Sequence, residues 1–238
     1  MAEVAASGPL LVERVERGRI MRFLGYLGRN KRLVVGLSMI LFLFLFATVG
    51  QLLVDTDKAY PLAVPANRPP SREYPFGTDS QGRDLLATAI MGTYLTSRIG
   101  LIAGTLGLSV GTILAFLAAY YGGILDTIIR WVVDVLLTIP SLLVLVVIAS
   151  SLKKGIDVNG MALVVSLLAW VWPTRTIRSQ VLSLKERAFV RVAKLAGESN
   201  LEIIFGELMP NLLPFLGASL VGSVTGAVFA SLGLEALG

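Results

Sequence analysis

The chain has no cysteine and no histidine among its 238 residues. These absences remove disulfides, thiolate nucleophiles, imidazole general bases and the usual zinc ligands. Charge is scarce as well. Asp, Glu, Lys and Arg make up 16% of the chain, against roughly 25% in an ordinary soluble domain. No Gly-x-x-x-x-Gly-Lys-Ser/Thr motif occurs, so no P-loop can cradle a nucleotide. An enzyme built on this chain would need a Ser–Lys or paired-Asp arrangement, and no apolar run carries a lysine or two aspartates. No catalytic residue, bound metal or resident cofactor is expected.

What the chain has instead is apolar length. Hydrophobic residues make up 55% of it. Residues 33–54 run for 22 positions without a charge, and at ~1.5 Å per residue such a helix crosses the ~30 Å hydrocarbon core. Residues 99–125, 158–173 and 208–234 are also uncharged, and 131–152 is broken only by Asp134. These runs predict an all-α polytopic membrane protein with five spans. A stand-alone secondary transporter is the alternative of another class, but it would normally show more intramembrane ionisable groups than Asp134 alone.

Lys and Arg set the expected orientation. Arg14, Arg17, Arg19, Arg22, Arg29, Lys31 and Arg32 precede the first span, and Arg175, Arg178, Lys185, Arg187, Arg191 and Lys194 follow the fourth. Both clusters belong in the cytoplasm, which predicts a multi-pass protein of the cell (plasma or inner) membrane with its N-terminus cytoplasmic and the 55–98 loop outside. The first ten residues carry no basic side chain, so a cleavable signal is not expected. The organisation is therefore a cytoplasmic segment 1–32, a first transmembrane helix 33–54, an external Pro-rich loop 55–98 and a transmembrane core 99–238. Residues 19–28 alternate basic and bulky apolar groups and read as a short interfacial helix, or equally as a continuation of the first span.

One polar segment, 183–210, lies between two apolar ones. Lys185 to Ala196 suits a helix, Gly197 suits its C-terminal stop, and Ser199 or Asn200 can cap a second helix running to about Met209. Pro210 is expected to end that helix. The result is a helix–Gly–helix elbow that either docks a partner or merely joins two spans. In the external loop, Asp79 is placed to cap a helix starting near Ser80, and Asp79, Arg83 and Asp84 form a candidate ion-pair latch or receptor contact. Asp126, Arg130 and Asp134 share a helical face. An Arg130–Asp134 pair is the expected structural use, and a role of Asp134 in a pathway is the functional one. Pro140 and Pro173 should kink their helices. Gly100, Gly104, Gly107 and Gly111, and further on Gly217, Ser219, Gly222, Ser223 and Gly226, read first as close helix packing and second as a pore wall. Trp170 and Trp172 read as an interfacial belt or a substrate platform.

Two motifs resemble those of a known family. The elbow is similar to the EAA loop of ABC-transporter permeases, with Arg191, Val192, Ala193, Gly197, Ile203, Ile204 and Pro210 at the matching positions. Arg191 stands where that family usually has Glu, and Glu207 stands where a basic or His residue is common. Pro75-Phe76-Gly77-Thr78-Asp79-Ser80-Gln81-Gly82-Arg83-Asp84 resembles the PFGTDxxGRD signature of the C-type permeases of dipeptide/oligopeptide importers. Tyr120-Tyr121-Gly122-Gly123, Ile139-Pro140-Ser141 and residues 180–187 follow in the expected order, so the resemblance covers 30–238. It implies a type I ABC importer transmembrane domain with a sixth span beyond the five. It also implies a coupling segment of Arg191, Val192, Ala193, Lys194, Gly197, Glu198, Ser199 and Asn200, and an external motif of Gly77, Thr78, Asp79, Gly82, Arg83 and Asp84. Asp134, Pro140, Trp170, Ser219 and Ser223 become candidate pathway or helix-contact residues. The implied partners are two cytoplasmic ATP-binding subunits carrying ATP and Mg, a second homologous permease, an extracytoplasmic solute-binding protein and the lipid membrane, with no nucleic acid. The implied cargo is di- or oligopeptides, or oligosaccharides as the alternative within the family.

Overall fold

The computed structural model describes residues 25–151 and 157–237. Among these the chain is helical apart from the 55–84 loop and short joints, and its only β pairing is an isolated bridge between Thr78 and Asp84. Arg14, Arg17, Arg19 and Arg22 lie outside the described residues, as does most of the 153–157 link. Of the expected 19–28 interfacial helix, residues 25–28 are described and helical, as is residue 29.

Helix α1 (Lys31–Leu53) has 23 residues with an apolar surface exposed nearly all round. A short 3₁₀ turn, Thr56–Ala59, opens the loop. Helix α2 (Leu85–Phe116) continues through a π-helical turn, Leu117–Tyr121, giving 37 helical residues in all. At ~1.5 Å each they reach about 55 Å. The helix thus starts 14 residues before the expected position 99, and the loop ends at Asp84 rather than at Arg98. Arg98 interrupts the apolar run without interrupting the helix, because Arg is itself a good helix former, 85–98 contains no proline and Asp84 caps it.

Gly122 and Gly123 take φ values of +69° and +62°, a region open to glycine at little steric cost. They turn the chain into α3 (Gly123–Thr138). Helix α4 (Ser141–Ser150) follows at an angle of 82°. The expected third span is therefore two helices. Pro140 has no N–H to continue the α3 ladder and its ring excludes the residue before it from the α region, so the break falls at Ile139–Pro140. Helix α5 (Val158–Ala169) is capped by Asp157, whose Oδ1 accepts the Gly160 N–H at 3.0 Å. It meets α6 (Val171–Lys185) at 42°. Pro173 sits in the first turn of α6, where its missing N–H leaves no gap in the ladder.

Helix α7 (Ala188–Leu195) is followed by α8 (Asn200–Glu202), a π-helical stretch Ile203–Leu208 and α9 (Met209–Leu237). Pro210 does not end this helix as expected. The Met209 N–H bonds the Ile204 carbonyl five residues back, and this wider turn gives the Pro210 ring the room that a normal α turn denies it.

Helix α2 is the axis of the packing. A methyl group added at Gly100 would lie 2.5 Å from Val228 Cγ2, and one at Gly104 would lie 2.7 Å from the Val224 Cα and N. At Gly107 it would meet Ala169 at 2.6 Å, and at Gly111 it would meet Pro173 Cβ at 2.8 Å. The glycine stripe lets α9 on one side and the α5–α6 joint on the other approach the α2 backbone. Expected packing thus holds for this stripe. In α9 the glycines behave differently: Gly217, Gly222 and Gly226 have no atom within 4 Å of an added Cβ.

Candidate functional site

The 55–84 loop and the 183–210 elbow sit at opposite ends of α2. At its start, the chain passes twice over the Gly77–Asp84 turn. Gly77 (φ +77°) lies under the Arg68 carbonyl and Gly82 (φ +71°) under the Val64 carbonyl, with 2.6 Å and 2.5 Å to an added Cβ. Any side chain at either position would strike backbone. Thr78 Oγ1 donates to the Pro65 carbonyl at 2.6 Å and accepts the Arg68 N–H at 2.8 Å. Asp79 Oδ1 accepts the Gln81 and Arg83 N–H groups at 2.9 Å each, and its Oδ2 takes the Arg83 Nε–H at 2.7 Å. It therefore closes a turn and caps no helix. The helix cap belongs to Asp84, which is 3% exposed and accepts the Leu86 N–H at 3.0 Å. A carboxylate that ends a turn and one that begins a helix look alike in sequence, and the tertiary contact of the Asp84 N–H with the Lys58 carbonyl, at 2.8 Å, separates them.

Hydrogen bonds from the Arg83 backbone, then from its side chain and the Gln81 backbone, hold the Asp79 carboxyl below its ordinary value of 3.8. A depressed folded pKa means the stabilisation is present above the unfolded value and is lost as pH falls through the folded one. The Gln81 and Arg83 amides should therefore lose hydrogen-exchange protection when pH is lowered below about 3.8, more than intrinsic exchange chemistry accounts for. An Asp79→Asn variant should show no such pH step, and a wild-type profile as flat as the variant's would remove this role for Asp79.

At the other end of α2, α7 closes with two hydrogen bonds of a Schellman motif. The Gly197 N–H donates to the Lys194 carbonyl at 3.2 Å and the Glu198 N–H to the Ala193 carbonyl at 3.1 Å, with Gly197 at φ +86°. Ser199, rather than Asn200, caps the next helix in a capping box with Glu202: the Ser199 N–H donates to Glu202 Oε2 at 2.7 Å, and the Glu202 N–H to Ser199 Oγ at 3.3 Å. One side of the elbow is buried. Val190, Ala193, Ile203, Ile204 and Leu208 join Phe116, Ala119, Ile177 and Val181 in one apolar cluster. The other side is open, with Val192 63%, Leu195 89% and Phe205 64% exposed. Arg191, Lys194, Glu198 and Asn200 flank it, also exposed, and Glu207 is half-buried. Tyr120 donates its hydroxyl to Asn200 Oδ1 at 2.9 Å, Lys194 lies 5.9 Å from the Tyr120 ring centroid, and Lys185 Nζ donates to the Ala119 carbonyl at 2.8 Å. The elbow is thereby tied to the π turn that ends α2.

The face shared by α3 and α6 carries two ion pairs. Arg178 donates to both carboxylate oxygens of Asp126, Nε–H to Oδ1 at 2.5 Å and Nη2–H to Oδ2 at 2.6 Å, with both side chains 20% exposed. Arg175 lies 3.6 Å from Asp134, and this pair is exposed. The expected Arg130–Asp134 pairing is not formed. Spacing of i, i+4 makes it available, but the cation that lies against Asp134 is Arg175 of α6, while the two-bond arginine fork, from Arg178, goes to Asp126.

Between the two ends lies a cavity of about 580 Å³. Its wall includes Ser219, Gly222, Ser223 and Gly226 of α9 and Trp172 and Thr176 of α6, and none of its lining residues is charged. A smaller cavity of about 400 Å³ lies against the α3–α4 break at Pro140. Of the sequence candidates, Ser219 and Ser223 line the first cavity and Pro140 the second. Asp134 is in the α3–α6 contact. Trp170 donates its indole N–H to the Leu167 carbonyl at 2.8 Å and packs against the Ala118, Ile129, Val133 and Val171 cluster, lining neither cavity. Phe215, Thr176 and Ser141 escape a reading by residue chemistry alone. Their signal is periodic: Phe215, Ser219, Gly222, Ser223 and Gly226 form one face of α9, and Val165, Leu168, Ala169, Trp172 and Thr176 hold one face through the α5–α6 bend.

Residues 107–238 match the family described as binding-protein-dependent transport system inner membrane component. The chain is 32% identical over 212 residues to the dipeptide transport system permease protein DppC of Bacillus subtilis (strain 168), covering 89% of this chain and 66% of that protein. It is 35% identical over 216 residues to the DppC of Alkalihalophilus pseudofirmus, covering 89% and 70%. It is 30% identical over 224 residues to the oligopeptide transport system permease protein OppC of Mycobacterium tuberculosis (strain ATCC 25618 / H37Rv), covering 92% and 74%.

Proposed function

Since this chain belongs to the family of binding-protein-dependent transport system inner membrane components, which has the type I ABC importer transmembrane fold, we propose that it forms half of the pathway of an ATP-driven importer of di- or oligopeptides. The observation that carries the reading is the two-sided elbow. Its inner side is locked into the α2–α6–α9 cluster, while Val192, Leu195 and Phe205 are presented outward. An apolar ridge rimmed by charge is the form a docking surface takes. Two cytoplasmic ATP-binding subunits, which hold the ATP and Mg this chain has no motif for, grip Arg191, Val192, Lys194, Gly197, Glu198, Ser199 and Asn200. Ala193 faces inward and anchors the grip to the core.

The elbow end is cytoplasmic, and the latch of Gly77, Thr78, Asp79, Gly82, Arg83 and Asp84 holds the loop at the external surface, where a solute-binding protein delivers cargo. A second, homologous permease completes the pathway. The uncharged cavity wall with hydroxyls from Ser141, Thr176, Ser219 and Ser223 suits peptides. Hydroxyls can bond the peptide main chain that all such solutes share, while no fixed charge selects among their side chains. The chain itself performs no catalysis.

Expression of the chain with its candidate ATPase subunits, second permease and receptor, followed by affinity purification and reconstitution, tests the reading. ATPase subunits should co-purify, and labelled alanyl-alanine should accumulate in vesicles only with ATP. Accumulation by the purified single chain under an ion gradient would overturn it.

A further inference from the structure

The two helix breaks face each other. The smaller cavity is lined from one side by Leu136, Ile139 and Pro140 of the α3–α4 break, and from the other by Leu168, Val171 and Trp172 of the α5–α6 break. Ser141, Leu168 and Trp172 line both cavities and so form the partition between them. Trp172 is the largest of the three and is 65% exposed, so its ring has room to swing without vacating a packed core.

The same two breaks divide the spans into two pairs. On the elbow side, α3 and α6 are joined by the Arg178–Asp126 and Arg175–Asp134 pairs. Beyond the breaks, α4 and α5 contribute Leu145, Val164 and Val165 to a separate apolar cluster with Ala103, Ala227 and Leu234. Helix α6 runs unbroken from Val171 to Lys185, and two residues separate it from the start of α7 at Ala188. Its 15 residues make a lever of about 22 Å. Movement at the elbow is thereby carried to the partition along one rigid helix, and the double hydrogen bond of Arg178 to Asp126 makes α3 follow.

We propose that Trp172 is the gate residue of the pathway, and that the ion-paired α3–α6 unit, hinged at Ile139–Pro140 and at Trp170, moves it when the elbow moves. This rests on the importer reading above, but it assigns the gate, the hinges and the cross-link to named residues of this chain. Rotation of a rigid helix about its axis turns every side chain through the same angle, and the large Trp172 ring, exposed as it is, sweeps across the partition without breaking a packed contact.

The absence of native cysteine makes the test direct. A Thr176→Cys substitution places one thiol in the cavity wall of the complete reconstituted transporter. Its maleimide-labelling rate should change at least fivefold between nucleotide-free and ATP–vanadate states. Arg178→Ala should flatten that response to under twofold while ATPase subunits still co-purify. The exchanged pair, Asp126→Arg with Arg178→Asp, should restore it and serves where the single variant fails to fold. Separately, Trp172→Ala should raise nucleotide-free efflux of entrapped carboxyfluorescein about tenfold while keeping the labelling response. A full response in Arg178→Ala, no response in the exchanged pair, vesicles of Trp172→Ala as tight as wild type, or a nucleotide-insensitive thiol in the native background would each overturn the proposal. In that last case, co-purifying active ATPase subunits would leave the importer reading standing, and their absence would take both.

Discussion

Replacing Gly197 by leucine should leave the protein folded and membrane-inserted while transport falls at least a hundredfold and ATP hydrolysis by the partner subunits no longer responds to solute. Gly197 sits at φ +86°, with nothing within 4 Å of an added Cβ. The intramolecular penalty of a side chain is thus the left-handed backbone alone, about 1–2 kcal/mol, against the 5–15 kcal/mol of a typical fold. The new side chain points into open space beside Leu195, which is the space proposed for the partner. Gly197→Ala separates the two effects. It carries the same backbone strain with little bulk, so it should lose only a few-fold in transport. Equal loss in both variants would assign the effect to strain in the Schellman turn, and native transport by the leucine variant would sink the docking role of this elbow. ATP-dependent uptake and solute-stimulated ATPase, measured on the same vesicles, decide the matter.

The largest structural effect is expected at Gly104. Its added Cβ would meet the Val224 Cα and N at 2.7 Å. These are backbone atoms, which no rotamer change can move aside. Gly104→Leu must therefore push α9 away from α2 and open the contact that organises the domain. Overpacking of a well-fitted site costs typically 1–3 kcal/mol and sometimes more. The upper end is expected here, a fall in midpoint of roughly 6–12 °C for a chain of this size. Gly222→Ala is the contrasting case. It lies on the same helix face as the cavity, nothing stands within 4 Å of the new methyl, and Ala is favoured over Gly in a helix by about 1 kcal/mol. It should unfold no lower than wild type. Thermal unfolding in detergent, followed by circular dichroism, measures both, and a Gly104→Leu protein as stable as wild type would refute the close-packing account of the α2 stripe.

These two glycines show where sequence reading stops. In a string of letters Gly104 and Gly222 are the same signal, a small residue at helical spacing in an apolar run. Their difference lies in which neighbour stands opposite, and only the packed helices supply one. The ion pairs follow the same logic. Asp126, Arg130 and Asp134 share a face by periodicity, but the partners of the two aspartates come from another helix: Arg178, 52 residues from Asp126, and Arg175 are both on α6. Local spacing offers Arg130, and the approach of α6 overrules it. The helix–Gly–helix form of the elbow, by contrast, is readable residue by residue, because a Schellman stop and a capping box are built from neighbours within six positions. Pro210 was misleading since its effect depends on the π turn before it, a feature with no letter of its own.

The sequence by itself determined the class of this protein: helices long and apolar enough to cross a bilayer, a polar elbow with its stop and cap, and breaks at Pro140 and beside Pro173. Each of these follows from backbone geometry or transfer free energy summed over adjacent residues. Tertiary structure decided which glycines are contacts and which are wall, which arginine answers which aspartate, and that Trp172, rather than Trp170, faces the cavities. Those choices turn on atoms brought together from distant parts of the chain, where a rotation of one residue on a helix exchanges a packed neighbour for an open space.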